Sequence, residues 1–418
     1  MLRGQKTTRM LSSINSHLPN TFPRYVDGIM YLENVAIEEI VANFEDSLLL
    51  YSTMQLKHNA KHVLHSLGQA AKTTEVFYAY KACPLPDVTK LLHESGIGAE
   101  VGSAYEYQMA VCNGCAPSKI VWNSVCKSHA EIQLALAGGV RIWHIDAIEE
   151  AYLLNKALEG TGRMQDIAVR VFPNIETNYI KPGSKLGNPV VSGDAKNVCR
   201  QISQLNNLRL VGLHCHTMVK QRSAQAYADL ARSMVNFAKE IQYLCSVKIQ
   251  YINLGGGFLS TSCFASHSNQ LKEIGRAIAQ ETKEFTGALA FEPGRCLVNN
   301  AAVAVGCLLA KKEYSKKTWW ITNINTSILV PFEGRDFSII PGIIDTSQPK
   351  VCVSIGDRAS SYSAVLSENT IIQNCDVNAT LVVTDCGAYT YSARQGFIYP
   401  HNRVGIVNGN NIRICQET

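Results

Sequence analysis

Phe77-Tyr78-Ala79-Tyr80-Lys81-Ala82-Cys83 is an apolar, aromatic strand pattern that ends on a lysine with no acidic residue beside it in the sequence. A strand of a parallel barrel holds the side chain at its end rigidly at the barrel mouth. Desolvation there favours the neutral amine, which makes Lys81 a candidate nucleophile toward an aldehyde. The bland reading is an ordinary solvated lysine, since lysines are seldom buried. The rest of the chain decides between the two.

Working outward, residues from about Ser47 to Asn300 alternate short β-branched or aromatic runs with longer amphipathic stretches such as Ser223–Tyr243. This is the pattern of repeated βα units. The strand candidates are Ser47–Tyr51, Val76–Tyr80, Gly98–Val101, Ile120–Trp122, Ile142–Ile145, Ile167–Phe172, Leu210–His214, Tyr251–Leu254 and Ala288–Phe291. One or two strands beyond eight suit a closed parallel (β/α)8 barrel better than a doubly wound sheet. After about Ala301 strand-like runs with turn signals take over, among them Trp319–Thr322, Val351–Ile355, Leu381–Thr384 and Val404–Val407. The sequence therefore predicts an α/β chain of three parts. Residues 1–44 form a leader and a segment that joins the β domain, residues 45–300 a barrel, and residues 301–418 a C-terminal β domain.

The bulk properties exclude several classes. With 418 residues and 46% hydrophobic content the chain can bury a large core. No apolar run reaches the roughly 18 residues that a membrane helix needs. The first twenty residues carry Arg3, Lys6 and Arg9 without a secretory apolar core, so a cytoplasmic protein is expected. A net charge of +5, with no basic block interleaved with aromatics, gives no sign of nucleic-acid binding. The 14 cysteines are scattered along a long chain and read as reduced thiols. Cys112-Asn113-Gly114-Cys115 has metal-like spacing but no second pair at a zinc-like interval, so no metal site is predicted.

Three further strand ends carry chemistry. Leu254-Gly255-Gly256-Gly257-Phe258 follows a strand, and its glycines let backbone amides turn toward an anion such as phosphate. Glu292-Pro293-Gly294-Arg295 places a carboxylate, a tight turn and a guanidinium at the same rim. A carboxylate facing a heteroaromatic nitrogen keeps that nitrogen protonated and the ring electron-poor. In Leu213-His214-Cys215-His216-Thr217 alternation puts both histidines on one face, with His216 nearer the rim and His214 equally readable as a core residue. In the β domain, Asp385-Cys386-Gly387-Ala388-Tyr389 is a small-residue turn that presents a tyrosine.

Together these motifs resemble the fold-type III pyridoxal-phosphate-dependent decarboxylases, the ornithine, arginine and diaminopimelate decarboxylases with an alanine-racemase-like barrel. The likeness covers about residues 40 to 400. It implies pyridoxal 5'-phosphate as cofactor, carried by Lys81, and decarboxylation of an amino acid through an external aldimine. It implies that His216 stacks on the pyridine ring and Glu292 pairs with its nitrogen. Gly255, Gly256, Gly257, Gly294, Arg295 and Tyr389 would hold the phosphate, Arg170 would line the pocket, and Glu100 stands where the family often has an acid. It also implies a homodimer whose β domains complete each other's active sites.

The chain departs from the family in the β domain. The family's Gly-x-x-Cys-Asp-x-x-Asp stretch, which supplies a proton donor and grips a distal amine, corresponds here to Gly356-Asp357-Arg358-Ala359-Ser360-Ser361-Tyr362-Ser363. Ala359 replaces the cysteine, and Ser360 and Ser363 replace the acids. Arg358 beside them suits a carboxylate, a phosphate or a carrier-linked group, and Tyr362 is one candidate proton source. The serine turn after the histidine is likewise replaced, by Thr217-Met218-Val219. The expected substrate is thus an amino acid or conjugate other than plain ornithine or lysine. Racemisation, decarboxylation-dependent transamination or oxidative deamination on the same cofactor, and a non-catalytic regulator, stay open at this point.

Overall fold

The structure is a computed structural model that describes residues 22–44, 46–175, 184–261, 269–326 and 337–415. The leader at 1–21 lies outside the described residues. The chain divides into two compact units, one of residues 59–259 and 268–296, the other of residues up to 58 and from 297 on, with 260–267.

In the first unit eight parallel strands close into a ring. They are Thr74–Ala79, Gly98–Val101, Ile120–Asn123, Ile142–Ile145, Gln165–Phe172, Leu208–His214, Tyr251–Asn253 and Ala288–Phe291. The last pairs with the first through Phe291 and Val76, which shuts the barrel. A two-residue strand, Asn188–Pro189, adds to the edge of Gln165–Phe172. Phe77, Val121, Ile142, Ala168, Tyr251 and Ala290 pack together as a core cluster drawn from six of these strands. Large rings fit because two strands are notched. A Cβ on Gly98 would lie 2.7 Å from the Phe77 ring, and one on Gly212 would lie 2.7 Å from the Tyr251 ring.

Between strands run helices with ordinary start signals. His129–Gly138 opens on a capping box of Ser128 and Glu131 and closes on the left-handed Gly139. Ala224–Cys245 spans the amphipathic stretch expected from the sequence.

Ser47–Tyr51, read above as a barrel strand, is corrected by the structure. Leu48–Ser52 belongs to the second unit, antiparallel to Ala302–Glu313 and parallel to Arg403–Asn408. The misreading has a physical cause: all five residues are buried, and an interior strand covered on both faces has the same continuous apolar run in either architecture. Its removal from the candidates leaves eight. Leu48 and Leu50 pack with Phe22, Met30, Ile37, Val303, Val305 and Val382 in the core of the β unit. The described N-terminal segment of this unit is a three-stranded sheet of Arg24–Val26, Ile29–Leu32 and Val35–Ala36 followed by helix Ile37–Asn43.

One buried charge pair supports the barrel rim. Lys127 Nζ donates to Glu150 Oε2 at 2.9 Å and to the His144 carbonyl at 2.8 Å, with both side chains sealed from solvent. Glu150 Oε1 in turn accepts from the amides of Asp146 and Ala147. Removing one partner of such a pair strands a buried charge. We expect Lys127→Met to cost about 3–5 kcal/mol in urea unfolding, more than a neutral core substitution of similar size.

Candidate active site

Each candidate side chain in the barrel unit sits at the C-terminal end of a strand, and strand pairing decides which of them meet. Lys81 lies in the 3-10 turn Tyr80–Ala82 that directly follows strand Thr74–Ala79. The turn is braced by Tyr78 Oη, which donates to the Cys83 carbonyl, and by Tyr80 Oη, 2.7 Å from His93 Nε2. Register places Ala79 opposite Glu100, and Lys81 Nζ lies 3.6 Å from Glu100 Oε2. The lysine without an acidic neighbour in sequence therefore has one in space. Its side chain is also 48% exposed, so desolvation is not what prepares it. Burial pushes the Glu100 carboxyl up, with Lys81 pulling the other way.

The Lys81 turn packs on the Glu-Pro-Gly-Arg turn. The Ala79 amide donates to the Pro293 carbonyl at 3.2 Å, and a Cβ on Gly294 would lie 3.1 Å from Ala82 and 3.2 Å from Ala79. Small residues at 79, 82 and 294 are what let the lysine and the carboxylate motif share one rim. Arg295 begins the short helix that follows.

Glu292 is buried and surrounded by donors. Its Oε1 accepts from Asn253 Nδ2 at 2.9 Å and lies 3.5 Å from His144 Nδ1, while Oε2 lies 3.2 Å from His214 Nε2. The His144 and His214 rings stack, with centroids 4.2 Å apart and planes 13° from parallel. Burial lowers the pKa of both well below the ordinary histidine value, so both are neutral at pH 7. These three residues offer donor atoms within 4.8 Å of one another, but stacked rings send their lone pairs side by side. A metal ion needs them to converge. The cluster is arranged for hydrogen bonding to Glu292.

His216 and the glycine turn form one piece. The Gly256 amide donates to His216 Nδ1 at 3.0 Å, and the Gly255 amide donates to Asn253 Oδ1 at 2.8 Å. This corrects the expectation that successive amides of the triplet face an anion, because those of Gly255 and Gly256 are engaged within the protein. The glycines are needed for closeness: a Cβ on Gly256 would sit 2.2 Å from the Glu292 carbonyl, and one on Gly257 2.1 Å from that of Met218. Thr217, in the departed serine turn, is buried with no hydrogen-bond partner for its hydroxyl among the described residues. Arg170 is buried and lies 3.4 Å from Asp146 Oδ2.

Asn123, His144, Asp146 and Asn253 were not singled out in the sequence. Asn123 donates to Glu100 Oε1 at 3.3 Å. All four lie at or just beyond the ends of strands Ile120–Asn123, Ile142–Ile145 and Tyr251–Asn253, so the rule that barrel strand ends carry the chemistry would have found them.

The other predicted residues lie in the β unit. Tyr389 has φ 65°, in the left-handed region, at the start of helix Thr390–Ala393. The preceding Gly387 accepts from Tyr51 Oη at 2.9 Å, and a Cβ there would lie 2.0 Å from the Val298 carbonyl. Arg358 stacks over the Tyr399 ring at 4.3 Å and meets Asp46 at 3.3 Å. Ala359 donates its amide to Asp357 Oδ1, Ser361 and Ser363 hydroxyls lie 3.0 Å apart, and Ser360, Ser363 and Tyr362 are exposed, Tyr362 completely.

The chemistry of the barrel donor set fits pyridoxal phosphate. A lysine amine at the mouth suits its aldehyde, a buried carboxylate suits its ring nitrogen, and Arg170 with Lys81 suits its anionic charge. Comparison with known proteins agrees. Residues 54–299 match the family model for the pyridoxal-dependent decarboxylase, pyridoxal binding domain, and the chain belongs to this family. It is 25% identical over 388 residues to a diaminopimelate decarboxylase of Methanocaldococcus jannaschii, covering 89% of this chain and 88% of the other. To the diaminopimelate decarboxylase of Aquifex aeolicus it is 24% identical, covering 95% of each chain. A crystal structure of the M. jannaschii protein superposes with a TM-score of 0.88 over 96% of this chain and 95% of the other, at 24% identity. The chain is thus a pyridoxal-phosphate-dependent decarboxylase, and among its described residues no helix is long and apolar enough to cross a membrane.

Burial also lowers His216 well below the ordinary histidine value. An imidazole whose pKa is lower folded than unfolded takes up a proton on unfolding, so its contribution to stability is lost as pH falls below about 6.5. Glu106, pushed up to about 7 by burial, has the opposite sign and weakens the fold as pH rises from the ordinary carboxylate range toward 7. The histidine contribution is isolated by difference. His214→Gln should flatten the fall in unfolding free energy between pH 6.5 and 5.5 by up to about 1.4 kcal/mol, as read by urea titration at the two values.

Proposed function

We propose that this chain decarboxylates an amino acid whose side chain carries an acidic or conjugated group, and that it does so as a homodimer with shared sites. The observation that carries the reading is the β-unit turn at 358–363. It offers an arginine, a tyrosine and serine hydroxyls where the family pattern offers a cysteine and two acids. Arg358, Tyr399, His401, Asn323, Asn325 and Asn402 line a polar cavity of about 270 Å³ within that unit. An ammonium group would meet a guanidinium there, whereas a carboxylate or phosphate would compete with Asp46, itself 65% exposed, for Arg358.

Pyridoxal phosphate, when bound, supplies an aldehyde for the substrate amine and a ring that takes up the electron pair left as carbon dioxide departs. The protein supplies the rest. Lys81 would carry the cofactor between turnovers, and its amine, 3.6 Å from Glu100, would pass a proton to the substrate's α-carbon in place of the missing cysteine. Glu292 would face the ring nitrogen, and His216, fixed by the Gly256 amide, would cover a ring face. Arg170 would line the pocket, and Gly257, Gly294 and Arg295 would contribute the barrel unit's part of the phosphate site.

Reaction of the purified protein with borohydride followed by peptide mapping tests the cofactor reading. We expect a near-visible band that is fixed to Lys81, and no such band in Lys81→Ala. The substrate reading is tested by carbon dioxide release from lysine, ornithine, diaminopimelate and amino acids with acidic or phosphorylated side chains. Arg358→Gln should raise KM for an acidic substrate about tenfold, as expected for loss of a charge-assisted contact, with little change in kcat. Preferred turnover of lysine or ornithine would contradict it.

A further inference from the structure

The hydrogen bonds around Glu292 have a direction. Tyr251 Oη accepts from Asn253 Nδ2 at 2.8 Å, so its own proton is available to His144 Nε2, 3.3 Å away. That assigns the His144 proton to Nδ1, which is buried, has no hydrogen-bond partner that meets strict geometry among the described residues, and lies 3.5 Å from Glu292 Oε1. His214 Nε2 lies 3.2 Å from Glu292 Oε2 and 3.5 Å from Asn123 Nδ2; a carboxylate oxygen can only accept, so the shorter contact places the His214 proton on Nε2 and leaves Asn123 to its bond with Glu100. With Asn253, two N–H groups bond one carboxylate and the Nδ1 of His144 stands 3.5 Å from it, while the stack of His144 on His214 holds both rings side by side.

We propose that the stacked pair His144 and His214 are positioning residues that fix the orientation and charge of Glu292, and through it the grip on the cofactor ring. The inference rests on the reading of Glu292 given above. The strength of the pair comes from its neutrality. A charged imidazole would form a salt bridge and draw the carboxylate away from a ligand, whereas neutral donors orient it and leave it to be met by a protonated ring nitrogen. Around the pair stand Lys127, Arg170, Glu292 and Tyr251, and the cations among them further disfavour protonation of His144.

The test is a double-mutant cycle on pyridoxal phosphate affinity, measured by equilibrium titration of the apoprotein and independent of turnover. His144→Leu and His214→Leu should each weaken binding about tenfold, a change of about 1.4 kcal/mol. His144→Asn and His214→Gln should restore it, because Asn Nδ2 and Gln Nε2 sit at the reach of the imidazole nitrogens they replace. Tyr251→Phe, which removes one hydroxyl and leaves both rings, should weaken binding by a smaller factor of about three, and it keeps the test open if a leucine variant does not fold. In a Glu292→Gln background every one of these losses should shrink below about twofold. Equal losses in both backgrounds, or leucine variants that bind like wild type, would overturn the proposal while leaving the role of Glu292 intact. Unchanged affinity in Glu292→Gln alone would overturn that role and this proposal together.

Discussion

A carboxylate buried inside a barrel is the constraint around which this site is organised. Glu292 is almost fully enclosed, and an ionised carboxylate without partners there would be strongly disfavoured. Asn253, His214 and His144 meet it from the ends of three other barrel strands, Asn253 also donates to Tyr251, and Asn123, 3.5 Å from His214 Nε2, donates to Glu100. Glu100 lies next to Lys81. The residue proposed to hold the ring and the residue proposed to hold the aldehyde are therefore ends of one polar chain across the barrel mouth. A side chain in this chain cannot be replaced without leaving a buried donor or acceptor unmatched.

Packing serves the same end. Gly256 has no side chain because the Glu292 carbonyl occupies that space, and Gly294 has none because the Lys81 turn does. Such contacts make the glycine and Glu-Pro-Gly-Arg motifs readable as statements about close approach rather than about anion binding alone. The anion reading held less well, since His216 and Asn253 engage two of the triplet's amides.

Much of this was legible in the sequence because barrel strands announce their ends. Of the nine strand candidates, Gly98–Val101, Ile142–Ile145 and Ala288–Phe291 coincided with observed strands, and the other six fell within two residues of one. What was not legible depends on pairing between distant segments. Leu48-Leu49-Leu50 reads as a barrel strand until its partners, Ala302–Glu313 and Arg403–Asn408, are known. The acidic neighbour of Lys81 appears only through the register of Ala79 with Glu100. His144 looks like an ordinary core residue in Ile142–Ile145, and only its stack on His214 gives it a role. In the β unit the departures at Ala359, Ser360 and Ser363 were plain from the residues, whereas the packing of Arg358 on Tyr399 was not.

The central claim is that Glu292, oriented by neutral donors, would keep the cofactor's ring nitrogen protonated. Nitrogen NMR of the protein loaded with pyridoxal phosphate labelled at the ring nitrogen reads this directly. The account predicts a protonated pyridine signal at neutral pH that reverts to the unprotonated position in Glu292→Gln. An unprotonated signal in the wild-type protein would contradict it.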